Sequence, residues 1–145
     1  MTEFDIQEIL FDKFKELNTS SGKQYLKQKS NGEYTNVHFP NETFSVPNDK
    51  RWFDLTFKSD EPSDASLGKG SQNRFYGVLY IDIYTPVDKK ETEAKAKYEA
   101  IARLFNDAEL GYVDIIKVYI STKGNDADSY RLQVAVNWEA DIDKE

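Results

Sequence analysis

The chain has 145 residues, a length suited to one domain around one core. Its 26 acidic residues against 19 basic ones leave a formal charge of −7, which argues against a nucleic-acid grip built on phosphate neutralisation. With no cysteine and one histidine, thiol nucleophiles, thiolate metal sites and multi-histidine centres within one chain are excluded. Hydrophobic residues at 39% and aromatics at 14% still predict a packed protein, a single domain spanning 1–145.

The start, Met1-Thr2-Glu3-Phe4-Asp5, is acidic and carries no apolar run, so no signal peptide or membrane span is expected, and synthesis in the cytoplasm is. Ile6, Ile9, Leu10, Phe14 and Leu17 then recur at helical spacing, predicting a helix of about four turns with Thr2 as N-cap. Phe4 and Phe11 form a narrower stripe on nearly the opposite side. They either pack under a neighbouring loop or meet another subunit. From Thr19 to Thr35 the sequence is polar, broken by Ser20-Ser21-Gly22 and Asn31-Gly32, and locally basic through Lys23, Lys27 and Lys29. It reads as a loop or extended excursion.

Four later runs alternate with period two. Phe53, Leu55 and Phe57 oppose Trp52, Asp54 and Thr56; Leu79, Ile81 and Ile83 oppose Tyr80, Asp82 and Tyr84. Ile116, Val118 and Ile120 oppose Lys117, Tyr119 and Ser121; Leu132, Val134, Val136 and Trp138 oppose Arg131, Gln133, Ala135 and Asn137. Between the second and third runs, Asp88-x-x-Glu91 reads as a capping box opening a helix whose stripe is Ala94, Tyr98, Ile101, Ala102 and Phe105. Lys123-Gly124-Asn125-Asp126 should turn a hairpin. The fold expected is α+β: a two-layer sandwich with a mixed sheet of about four strands and two helices on one face, in the order α-β-β-α-β-β.

Chemical motifs are weak. Gly68-Lys69-Gly70-Ser71-Gln72-Asn73 precedes a strand where a phosphate loop would open a helix, and Asp126-Ala127-Asp128 puts Tyr130 where a calcium loop needs a ligand. His38 beside Phe39-Pro40 reads as a turn or strand entrance. Asp54 and Asp82 share the polar face and could form a carboxylate pair, with Arg131 as a cross-strand partner that would make either one an ordinary ion pair. No catalytic residue, cofactor or metal is expected. The polar stretch 58–74 reads as a long flexible loop, either solvated or an arm that orders against a partner.

Asn41-x-Thr43-Phe44, Pro47, the strand led by Trp52, Leu67-Gly68, Arg74-x-x-Gly77, Tyr84-x-Pro86 and the helix ending at Phe105 follow one another in an order that resembles the tail terminator, or tail completion, proteins of long-tailed bacteriophages, similar in architecture to the lambda-type minor tail protein. The resemblance covers roughly Val37 to Trp138. Two departures are the longer excursion over 19–35 and the continuation of the Pro86 turn as Val87-Asp88-Lys89-Lys90, where a glycine is common.

The resemblance implies a non-enzymatic virion tail protein that forms a homo-hexameric ring on the finished tail tube, stops polymerisation and presents a surface to the head-tail connector. Its partners would be itself, the major tail tube protein and the connector, with DNA passing through unheld and no membrane. Candidate interface residues are Phe4, Phe11, Trp52, Asp60, Glu61, Asp64, Arg74, Tyr80, Tyr84 and Tyr119. The acidic balance would then repel phosphates in the lumen. Two other readings stand beside it: a neck or head-completion protein of the same virion, and an acidic cytosolic binding module using an open aromatic sheet face.

Overall fold

The computed structural model describes residues 3–63, 74–87, 90–126 and 128–141, with side chains at 5–60, 75–87, 91–125 and 128–140. In chain order the elements are α1 (Glu3–Phe14), α2 (Leu17–Ser21), β1 (Val37–His38), β2 (Trp52–Ser63), β3 (Arg74–Pro86), α3 (Lys90–Asn106), β4 (Val113–Asp126) and β5 (Ser129–Asp141). The fold is α+β with a mixed five-stranded sheet in the order β1-β2-β3-β5-β4. The expected four strands become five because β1 adds a two-residue parallel pairing, Val37 with Phe53 and His38 with Asp54.

Every other pairing is antiparallel. β3 and β4 therefore run parallel, joined through α3, and β5 returns between them. The hairpin joining β4 to β5 turns later than its glycine suggested, since pairing continues to Asp126 opposite Ser129.

The predicted first helix breaks in two. Glu16 N–H bonds back three residues to Lys13, tightening the chain before α2, which closes on Gly22 at φ 72°. Thr2 lies outside the described residues. The excursion after it is ordered by two asparagines that act as substitute strand partners. Asn18 accepts from Leu26 N–H (2.8 Å) and donates to Leu26 C=O (2.7 Å); Asn36, 5% exposed, accepts from Lys27 N–H (2.9 Å) and donates to Tyr25 C=O (2.8 Å). Backbone polar groups that a polar sequence leaves without a ladder are thereby satisfied.

One face of the sheet carries the core: Phe53, Leu55, Leu79, Ile81, Ile83, Leu132, Val134, Val136 and Trp138 are all within 1% of full burial. Ile6, Leu10, Phe14 and Leu17 from α1 and α2, and Ala94, Ala100, Ile101, Leu104 and Phe105 from α3, join the same cluster. Each large member contributes on the order of 1.5–3 kcal/mol of gross stabilisation. Phe14 meets Phe53 edge to face at 5.5 Å. Helix α3 buries more than its expected stripe, because Ala100 and Leu104 lie inside, and so does Lys97 at 7% exposure.

Burial pushes the Lys97 ammonium down from the usual lysine range, while Glu93, 3.5 Å away, supports its charge. Arg51 holds the same Glu93 with two hydrogen bonds of 2.6 and 3.2 Å. Burial works against the Glu93 carboxylate, but Arg51 and Lys97 outweigh it and hold it below the usual range. Asp88 of the expected capping box lies outside the described residues; Glu91 Oε2 accepts from Tyr130 Oη (3.0 Å) and Lys123 Nζ (3.3 Å), fixing the start of α3 to the β4–β5 end. Burial and the Glu91 carboxylate push the Tyr130 hydroxyl up to about 12.

Gly77 explains one of the spaced landmarks. A Cβ there would sit 2.2 Å from the Lys58 carbonyl oxygen and 2.4 Å from the Trp138 indole, which itself stacks on Phe57 at 5.4 Å. Only glycine lets β2, β3 and the indole approach this closely.

Candidate assembly surface

The alternate residues of the same strands form the second face, arranged in cross-strand rows. The first row is Trp52, Tyr84, Arg131 and Gly124; the next is His38, Asp54, Asp82, Gln133 and Thr122. Then come Thr56, Tyr80, Ala135 and Tyr119, followed by Lys58, Val78, Asn137 and Lys117, and finally Asp60, Tyr76, Glu139 and Asp114. Aromatic, acidic, tyrosine-rich, basic and acidic bands therefore succeed one another along the strands.

The first band is a stack of four rings. Trp52 and Tyr84 lie 4.2 Å apart and 5° from parallel; Phe44 covers Trp52 at 5.0 Å, and His38 stacks on Phe44 at 5.2 Å. The segment 40–50 is thus folded over the start of β2, with Asn41 and Lys50 in the left-handed region at φ 64° and 60°. Lys50 also reaches Asp128 at 3.1 Å, tying this segment to the β4–β5 turn. His38 Nδ1 lies 3.1 Å from Asp54 Oδ1 and Nε2 lies 3.1 Å from the Glu42 carbonyl oxygen. Each ring nitrogen of His38 thus has an oxygen within hydrogen-bond distance.

In the acidic band the structure brings Asp54 and Asp82 together as register partners. Burial pushes both carboxyls up from the usual range; His38 and Arg131 pull Asp54 back, Arg131 and Gln133 pull Asp82 back, and Asp54 adds to the upward push on Asp82. Arg131 Nη2 stands 3.2 Å from Asp82 Oδ1, the cross-strand ion pair that the sequence pattern anticipates. Each acid thus has its own cationic or polar neighbour, and among the described residues no three histidine, aspartate or glutamate groups gather as a metal site.

Residues 20–138 match a family model described as a phage tail terminator protein. The chain belongs to the phage tail terminator family, which gives this terminator a structural role in tail completion and places it among virion components. No curated protein matches it. One solved structure aligns over 96% of the terminator and 98% of its own chain at 13% identity, with a TM-score of 0.64, a likeness of fold. No helix among the described residues is long and apolar enough to cross a membrane.

The ten candidate residues of the terminator fall into four groups. Trp52 and Tyr84 are brought together, but into the ring stack, partly covered by Phe44. Tyr80 and Tyr119 flank Ala135 in one row and are both half-buried, with Lys117 Nζ 4.9 Å from the Tyr119 ring. Phe11 is 8% exposed against Phe39, at 5.4 Å, which leaves little of it for a neighbour. Asp60 is exposed near the end of β2; Glu61 and Arg74 contribute strand backbone, while the side chains of Phe4, Glu61 and Arg74, and all of Asp64, lie outside the described residues. β2 runs to Ser63 and β3 starts at Arg74, so both ends of the expected loop 58–74 are strand, and 64–73 lie outside the described residues.

Ile116 and Ile120, expected on the apolar face of their strand, are among the exposed apolar side chains. Ile116 is 58% exposed because β4 bulges between Ile115 and Lys117, so Ile115 takes the core face in its place. Tyr112 and Ile120 are 53% and 36% exposed. A strict two-residue alternation hides a bulge, and nothing in the residue types of 113–121 signals one.

Proposed function

We propose that this terminator assembles as a closed ring of six copies on the finished end of the tail tube, where it stops tube growth and offers the surface that the head-tail connector meets. The observation that carries this reading is the family match over residues 20–138, most of the chain. In it the domain is a two-layer sandwich whose second sheet face, rich in half-buried aromatics and paired charges, serves subunit and tube contacts. Asp60, Glu61 and Asp64 sit on an arm towards the tube or its channel. The formal charge of −7 keeps a DNA-conducting lumen from holding phosphates.

The experiment is a phage in which a stop codon silences this gene. Its lysates should contain overlong tail tubes without heads, restored to uniform length by the chain supplied from a plasmid. A second plasmid lacking residues 64–73 should supply a folded chain that fails to restore them. Uniform tails joined to heads in the silenced phage would contradict the assignment.

A further inference from the structure

A ring joined head to tail needs two different patches on each copy, and among the described residues the sheet has two open edges. Among the described residues β4 is the outer strand at one end. At the other end β1 covers only Phe53 and Asp54, so among the described residues β2 has no strand neighbour on that side from Leu55 onward. Free edges present rows of unpaired N–H and C=O groups that template pairing with another chain.

The two edges match in direction, in length and in side chains. Three successive antiparallel pairings separate β2 from β4, so they run antiparallel, and a second copy set alongside in the same orientation brings its β2 antiparallel to the first copy's β4. Between its two bulges β4 pairs regularly from Lys117 to Ile120, and β2 pairs regularly up to Asp60 before its own register shift. Each edge therefore offers a short window, which bulges keep from pairing at random.

Placing Lys117 opposite Asp60 sets Tyr119 opposite Lys58 and Ile120 opposite Phe57. The charged pair and the Tyr119–Lys58 pair then lie on the second face, while Ile120 and Phe57 lie on the core face, where Phe57 already packs on Trp138. The core of one copy would thus continue into the next through the exposed Ile120. We propose that the partner of the β4 edge is a second copy of this chain, docked through residues 57–60 of its β2 in this register. The inference rests on the ring reading above.

The absence of cysteine makes the test clean. In the Asp60→Cys, Lys117→Cys double variant the two thiols of one chain are three strand spacings apart, roughly 14 Å, too far for an internal disulfide. Mild oxidation at assembly concentration, or with tail tubes added, should give a non-reducing ladder that ends at a closed ring. Either single variant should stay unlinked, because a head-to-tail contact never sets like against like. A ladder from the double variant alone supports the proposal. Rings seen by native mass spectrometry without a ladder would overturn the edge contact while leaving the ring, and a single variant that dimerises would show a two-fold contact and overturn it too. A chain that forms neither rings nor ladders, even with tubes present and with a wild-type circular-dichroism melt, would overturn the ring reading together with this one.

Discussion

The two faces of one sheet are held together in different ways. On the core face Trp138, Leu79, Val134 and their neighbours are buried to within 1%, and stability there comes from area removed from water and from close fit. On the second face the same strands carry a ring stack, a pair of acids with His38 and Arg131, and half-exposed tyrosines. There the stability comes from pairwise contacts of modest size, and side chains remain available to a neighbour. A domain that must assemble keeps its tight fit on one face and its adjustable contacts on the other.

The largest break in that contrast should come at Gly77. Gly77→Ala forces a methyl into the Lys58 carbonyl and the Trp138 indole, and overpacking of this kind costs about 3 kcal/mol. Urea denaturation should show the midpoint falling accordingly, and a near wild-type midpoint would mean that β2 and β3 separate more easily than the packing implies.

A smaller effect is expected on the second face. Trp52→Ala and Tyr84→Ala, with their double variant, should give a coupling of about 0.5–1.5 kcal/mol beyond area burial in a thermodynamic cycle. A coupling near zero would reduce the stack to incidental contact.

The smallest effect is the slope of stability with pH. Asp54 and Asp82 both hold protons more tightly in the native chain than free aspartates do, mainly through burial. Their contribution is therefore fully present below about pH 4 and is lost as pH rises through the native values. Asp82→Asn removes one of the two groups and the push it shares with Asp54. The variant's Tm should fall less, or rise more, than that of the wild type as pH rises from about 4, whatever constant offset the unpaired Arg131 adds. Parallel curves would mean that the pair does not set the slope.

Much of this was legible in the residues. The alternation at 52–57, 79–84 and 131–138 marks three strands with their faces correctly turned, and the order of landmarks from Asn41 to Phe105 carries the family resemblance that the match over residues 20–138 bears out. What stayed hidden has physical reasons. β1 is two residues long, too short for any period. The segment 25–36 is held by Asn18 and Asn36 side chains, and asparagines in a polar stretch look the same whether or not they bond to backbone. Phe44 belongs to the stack only because the chain folds back over β2, a tertiary event. The bulge that exposes Ile116 depends on the pairing of β4 with β5, which local residue types do not encode.

Whether this chain closes the tube as a ring can be seen by cryo-electron microscopy of purified tail tubes mixed with the terminator. One closed ring of six copies is expected at one end of each tube and none along its length. Tubes with bare ends, or decorated along their sides, would contradict it.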